Sequence, residues 1–233
     1  MNNQNEFVES IIKPDIEMTL KNFLKQQKRF PVIAITGPAG VGKSTITSEL
    51  AKYLGAKVYT ELPENNPFLK VIKETSGKVN DTTLWLNNQN FFLATDIGEI
   101  TKAFIEAKSK PIVFDFALTQ TFIFADIKLS GSALKTFNSM YGEQFNSLPL
   151  PDIVIEVQAS DSTIISRLES RGKHIDDFVI KMTEKINSYY KSGIVDENYS
   201  QGDTRVLKFD NNEPEPDKNI ILKRVVELLE QST

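Results

Sequence analysis

The residues with the clearest chemical meaning come early in the chain, where the β-rich run PVIAIT (31–36) leads directly into GPAGVGKST (37–45). The pattern G-x-x-x-x-G-K-[ST] is met by Gly37, Gly42, Lys43 and Ser44. Across Gly37, Pro38, Ala39, Gly40, Val41, Gly42, Lys43, Ser44 and Thr45, this spacing turns successive backbone N–H groups inward around a phosphate. Gly37 and Gly42 can take conformations a side chain would forbid, and a helix opening near Lys43 offers its positive end to the anion. Lys43 then reaches the β and γ phosphates, and the Ser44 hydroxyl coordinates Mg²⁺. The expected ligands are therefore ATP and Mg²⁺. The loop alone does not separate a switch or motor hydrolase from a kinase acting on a small molecule.

Further groups with chemical potential follow in order. Glu61 lies in YTELPENNPFL at the carboxyl end of a second strand, the edge where open α/β sheets bind ligands. LWLNNQNFFLATD places Trp85, Gln89 and Phe92 at i, i+4 and i+7, on one face of a helix. Asp115 ends a third strand, where a carboxylate near Ser44 has a physical reason to hold Mg²⁺ through water. RLESRGKHID brings Arg167, Arg171 and Lys173 together just before Asp176.

These groups need a scaffold, and the chain alternates short apolar runs with longer amphipathic stretches, the pattern of a parallel sheet covered by helices on both faces. Strands are expected at 31–36, 57–61, 111–115, 152–157 and 204–209, and helices at 43–54, 81–107, 118–146, 160–171, 174–191 and 217–231. The expected fold is α/β, a doubly wound five-stranded parallel sheet of the P-loop type, occupying residues 31–233. Residues 1–30 form an N-terminal extension whose Phe7, Ile11, Ile12, Ile16, Leu20 and Leu24 are spaced as on a helix. That helix either packs outside the sheet or binds a partner.

Composition narrows the function classes. The 233 residues carry 27 Lys+Arg against 31 Asp+Glu, a net charge of −4 that argues against a dedicated nucleic-acid binder. Absence of cysteine removes disulfides and thiol chemistry, and a single histidine cannot build a histidine metal cluster. No apolar run approaches the roughly 20 residues that span a bilayer, and MNNQNEFVES lacks the order of a secretion signal. A cytoplasmic enzyme or binding protein, with no nucleic-acid or membrane partner, is expected.

Taken in order, GPAGVGKS, ELPENNPFL, the Gln89 helix, DFALTQTFIFA, LPLPDIVIEV and RLESRGKHID resemble the deoxynucleoside kinase family. That family shows GPxGxGKS, EPV running into NPFL, a helix with Gln, D/E-R-S before IFA, LPxPDLxIYL and a lid RxxxRGRxxE. The resemblance runs from the phosphate loop to about residue 176 and is weaker beyond. It implies a homodimer that transfers the γ-phosphate of ATP to a nucleoside 5′-hydroxyl. On it, Glu61 corresponds to the general base, Gln89 to the residue that reads the base edge, and Asp115 to the acid beside metal and phosphates. Trp85 and Phe92 either wall the base or pack in the core. Arg167, Arg171 and Lys173 correspond to the lid cations, and Asp176 to the lid acid that contacts the sugar 3′-hydroxyl.

The departures fall on the acceptor side. Phe116 and Ala117 stand where the family has Arg and Ser, Asp96 stands where a second Arg follows the glutamine, KVIKETSGK has no Tyr, and EPV has become ELP. Glu61, Asp96 and Asp115 are thereby expected near one pocket without a matching arginine. Lys70, Lys73 or Lys78 supplies the cation, or the acceptor differs, or none is phosphorylated. Two rival readings follow: a catalytically inactive nucleotide-binding subunit, and a thymidylate-like monophosphate kinase. The second ranks lower because no arginine occurs between residues 31 and 166 to meet an acceptor phosphate.

Overall fold

The computed structural model describes residues 2–75, 81–199, 202–213 and 218–232. Lys78 and the 214–217 stretch of the DNNEPEPD loop lie outside them, as do the side chains of Phe7, Ile11 and Ile12. The strands are β1 (Val32–Thr36), β2 (Lys57–Tyr59), β3 (Ile112–Phe114), β4 (Ile153–Gln158) and β5 (Arg205–Asp210), joined in the order β2-β3-β1-β4-β5. Every pairing is parallel, with β1 at the centre in register Ala34↔Phe114 on one side and Ala34↔Val154 on the other.

Strand β1 is buried along its whole length, as a central parallel strand must be when helices cover both faces. Its side chains alternate between two cores. Val32 and Ala34 join Trp85, Leu93, Phe114 and Phe116 in one, while Ile33 and Ile35 join Ile46, Leu50, Ile164 and Leu222 in the other. The first core is covered by α4 (Thr82–Glu106), α5 (Leu118–Lys128), α6 (Gly131–Ser147), α8 (Asp177–Lys191) and α9 (Ile194–Tyr199). The second is covered by α1 (Asn2–Gln27), α2 (Lys43–Leu54), α7 (Asp161–Ser170) and α10 (Lys218–Glu230). From Asp15 onward α1 lies on α10. Ile16 and Phe23 are buried there, and Thr19 donates to Glu230 at 3.0 Å.

The sheet expected from the alternation is present, with differences at its margins. The stretch expected as one helix over 118–146 is two, because the chain breaks at the buried Leu129 and restarts at Gly131, whose φ of +57° is a left-handed conformation. Helix α3 (Pro67–Glu74) was not expected, yet its start is written in the sequence. Asn66 caps it by accepting the N–H groups of Phe68 and Leu69 at 3.0 and 3.1 Å, and Pro67 occupies the first turn, where a missing N–H costs nothing. Among the described helices, none is long and apolar enough to cross a membrane.

Candidate active site

The phosphate loop joins β1 to α2, and its glycines are required by their surroundings. Gly37 has φ +145°, and a Cβ there would lie 2.5 Å from the Val157 carbonyl oxygen. Gly42 has φ +107°, with a would-be Cβ 2.4 Å from the Asn211 amide nitrogen. Lys43 opens α2 and folds back over the loop, its Nζ donating to the carbonyls of Gly37 at 2.8 Å and Pro38 at 3.2 Å. Burial pushes the Lys43 ammonium below its ordinary pKa; Asp115 and Glu61 pull it back up, and Arg171 pushes it further down. Those four charges therefore share one small volume.

Asp115 follows β3, and its N–H donates to the Tyr59 carbonyl of β2 at 2.9 Å, which holds it at the carboxyl edge of the sheet. Its Oδ2 accepts from Ser44 Oγ at 2.8 Å and its Oδ1 from Thr47 Oγ1 at 3.1 Å. Ser44 and Asp115, expected together from the sequence, are in contact. No group of three or more acidic, histidine or cysteine side chains suited to a metal occurs among the described residues. A hydroxyl and one carboxylate are nevertheless the oxygen donors suited to Mg²⁺, which keeps most of its coordination for water and phosphate.

Beside the loop opens a cavity of about 230 Å³ whose walls include Glu61, Trp85, Gln89, Phe92, Gln120 and Thr121. The i, i+4, i+7 spacing on α4 does bring Trp85, Gln89 and Phe92 to one lining. Gln89 is buried there, and its neighbour Asn88 accepts from the Asn66 amide at 3.0 Å, which ties α4 to the start of α3. Trp85 carries the Lys128 ammonium over its ring at 4.6 Å, and the same ammonium lies 5.0 Å from the Phe178 ring of α8.

Glu61 marks the boundary between loop and cavity. Burial raises its pKa to about 6; Lys43 opposes the rise, Asp115 adds to it, and the Gln120 amide opposes it by donating to Oε1 at 3.3 Å and Oε2 at 3.2 Å. Asp96 sits behind Thr121, whose hydroxyl donates to its Oδ2 at 2.8 Å. Burial first, and then the negative charge of Glu61, push the Asp96 carboxyl well above the usual carboxylate range. Of the three carboxylates expected to face one pocket, Glu61 lines the cavity, while Asp96 and Asp115 are not in its lining and act on Glu61 electrostatically; Gln120 donates to Glu61 and Thr121 to Asp96. Lys70 and Lys73 are exposed, and the cation whose charge acts on Glu61 is Lys43. Phe116, at the family arginine's position, is 1% exposed and edge-on to Phe114 with ring centroids 5.1 Å apart. That position has been given to the core.

The three cations expected to form a lid divide. Arg167 is spent on backbone, donating to the carbonyls of Val41 at 3.3 Å and Glu213 at 3.1 Å. Arg171 closes α7 and bears electrostatically on Lys43. Lys173 borders a second cavity of about 140 Å³ with Pro38, Ala39 and Phe178. Asp176 caps α8 by accepting the Val179 N–H at 2.9 Å and is not among the residues lining the cavity beside Glu61. Gln120, Thr121, Lys128 and Asn211 escaped the sequence reading. Gln120 had one visible signal, an amide in the first turn after the acid at the tip of β3.

A parallel sheet in this order, with a Walker-type loop between its central strand and α2, defines a P-loop nucleotide-binding protein. The family model for deoxynucleoside kinase matches residues 33–230, and the chain belongs to that family. It is 28% identical over 189 residues to the deoxyguanosine kinase of Bacillus subtilis (strain 168), covering 78% of this chain and 87% of that protein. It is 29% identical over 153 residues to the deoxyadenosine/deoxycytidine kinase of the same organism, covering 62% of this chain and 67% of that one. Deoxyadenosine kinase from M. mycoides with bound dCTP shares the fold, with a TM-score of 0.65 and 24% identity over 84% of this chain and 99% of that one. Family membership makes the chain a nucleoside kinase.

Proposed function

We propose that the chain transfers the γ-phosphoryl group of ATP to the 5′-hydroxyl of a deoxynucleoside held against Trp85, Gln89 and Phe92. The observation that carries this reading is the place of Glu61, which lines the acceptor cavity while interacting electrostatically with Lys43 and Asp115 at the loop. A single carboxylate thus borders both substrates. Glu61 takes the proton of the attacking hydroxyl, and with a pKa of about 6 it is largely ionised at neutral pH. Lys43 exchanges the carbonyls of Gly37 and Pro38 for phosphate oxygens, and Arg171 and Lys173 offset the charge that moves onto the leaving phosphate. Ser44 and Asp115 would hold Mg²⁺, which when bound neutralises phosphate charge. Positioning and electrostatics supply most of the acceleration in such transfers.

The names of the bacterial relatives support a deoxynucleoside acceptor. A monophosphate acceptor is disfavoured, since the described lining of the cavity includes the Glu61 carboxylate and no lysine or arginine. The proposal includes the homodimer implied by the family, which a solution mass measurement tests. Its central test is transfer of labelled γ-phosphate from MgATP to deoxynucleosides, ribonucleosides and their monophosphates, with Lys43→Ala as the blank. Label on a deoxynucleoside that is absent from the blank is expected. Label on monophosphates alone, or binding of ATP with no labelled product, would overturn the reading.

A further inference from the structure

The deoxynucleoside kinase pattern places an arginine directly after the acid at the tip of β3, and the resemblance implies that this arginine pairs with the general base. Here that position is Phe116, buried in the core, so Glu61 needs another partner. A largely buried carboxylate left without a donor is costly, and a mobile one cannot aim at a hydroxyl. The chain supplies a donor from the first turn of α5. Gln120 Nε2 lies 3.3 Å from Oε1 and 3.2 Å from Oε2 of Glu61, so the one amide group spans the carboxylate.

Its mounting is firm. The Gln120 N–H donates to the Ala117 carbonyl at 2.9 Å, and both flanking residues are anchored. Thr119 is fully buried and its hydroxyl accepts from Asn198, while Thr121 donates to Asp96. The opposite amide orientation would set Oε1 against the carboxylate oxygens, so the carboxylate dictates which end of the amide faces it. Oε1 is then left buried with no hydrogen-bond partner among the described residues, on a side chain that lines the acceptor cavity. Buried acceptors are nearly always satisfied, so this one calls for a donor from outside the protein, and its place in the cavity wall puts a ligand's donor within reach.

We propose that Gln120 is the positioning residue for Glu61, replacing the family's arginine with a neutral amide, and that its Oε1 accepts a hydrogen bond from the nucleoside acceptor. This rests on the reading of Glu61 as the base. The exchange has a chemical consequence. A guanidinium would neutralise the base it holds, whereas an amide orients it and leaves its charge to be balanced by Lys43 against Asp115 and Asp96, the charged groups that face it from α2, β3 and α4.

The test is steady-state phosphorylation of the best deoxynucleoside as a function of pH, for the wild-type protein, Gln120→Met and Gln120→Arg. Methionine keeps the side-chain length and removes both polar ends. It should lower kcat by about 10- to 100-fold, raise the acceptor KM, leave the ATP KM unchanged and move the acidic limb upward in pH. Arginine restores a donor with charge and should move that limb downward. A structural role alone would not produce opposite displacements. Should either variant fold poorly, the isosteric Gln120→Glu, which loses the donor when ionised, must show the upward displacement instead. An active wild-type enzyme with an unmoved limb and unchanged kcat in Gln120→Met overturns the positioning role alone. A wild-type protein that phosphorylates no acceptor overturns the reading of Glu61 and this inference with it.

Discussion

The donor loop and the acceptor cavity lie on either side of Glu61 and are built in different ways. The loop is made of consecutive residues whose backbone does the binding, so its geometry is set by where glycine is allowed: Gly37 faces the Val157 carbonyl and Gly42 faces Asn211, neither with room for a Cβ. The cavity is made of side chains from the β2–α3 connection, α3, α4 and α5, spread over residues 61–124. A backbone site tolerates few substitutions, while a side-chain site can exchange one donor for another. On the proposed reading, this difference accounts for departures from the family pattern that collect on the acceptor side and for their compensation there by Gln120.

Four substitutions would break or sharpen this contrast. Lys43→Ala removes the ammonium that now bridges two loop carbonyls and should lower kcat/KM by about 10³-fold or more with loss of tight MgATP binding, read by calorimetry. An unchanged ATP titration would contradict the donor assignment. Phe116→Arg restores the family residue by sequence but puts a guanidinium into a core position that is 1% exposed, so it should cost about 3–5 kcal/mol and lower Tm without raising activity. A gain in activity at unchanged Tm would show that this position reaches the cavity after all. Gln89→Ala should raise the acceptor KM by about tenfold and leave the ATP KM alone, because the residue is buried in the cavity wall and lies on α4, away from the loop.

The smallest effect on stability concerns the acid–base balance of Glu61. Its carboxyl is raised in the folded protein from 4.5 to about 6, so the folded state binds protons more tightly than the unfolded chain. Stability therefore falls as pH rises between those values, and above them the ionised group costs roughly 1–2 kcal/mol. Glu61→Gln should remove that cost, raising Tm at neutral pH with little change at pH 4, while activity falls. Wild-type activity should decline below about pH 6 as the base becomes protonated. A Glu61→Gln variant less stable than wild type at neutral pH would mean that Lys43 and Gln120 outweigh burial.

The two regions also differed in how far they could be read. The central strand, the loop and α2 were legible almost to the residue, because a continuous apolar run, a glycine spacing and a helix start are local signals. Trp85, Gln89 and Phe92 were legible as one face because helical periodicity is local too. The family resemblance marked Arg167 as a lid cation and Asp176 as the lid acid; in the structure Arg167 donates to the Val41 and Glu213 carbonyls and Asp176 caps α8. The partners of Arg167 are 126 and 46 positions away and nothing nearby announces them, whereas the Asp176 cap on Val179 is a local signal that the sequence reading passed over.

From the sequence alone came the parallel α/β scaffold, the nucleotide loop with Ser44 and Asp115 at its mouth, and the loss of arginine near Glu61. The first two follow from short-range spacing and residue type, the third from comparison with the deoxynucleoside kinase pattern. Only the tertiary structure decided that Phe116 turns into the core, that Thr121 covers Asp96, and that Gln120 reaches both oxygens of Glu61. The physical reason is that a buried carboxylate takes whichever donor the packing of distant elements brings within about 3 Å, and that choice is made between the connection after β2 and α5, at residues 59 positions apart in the chain.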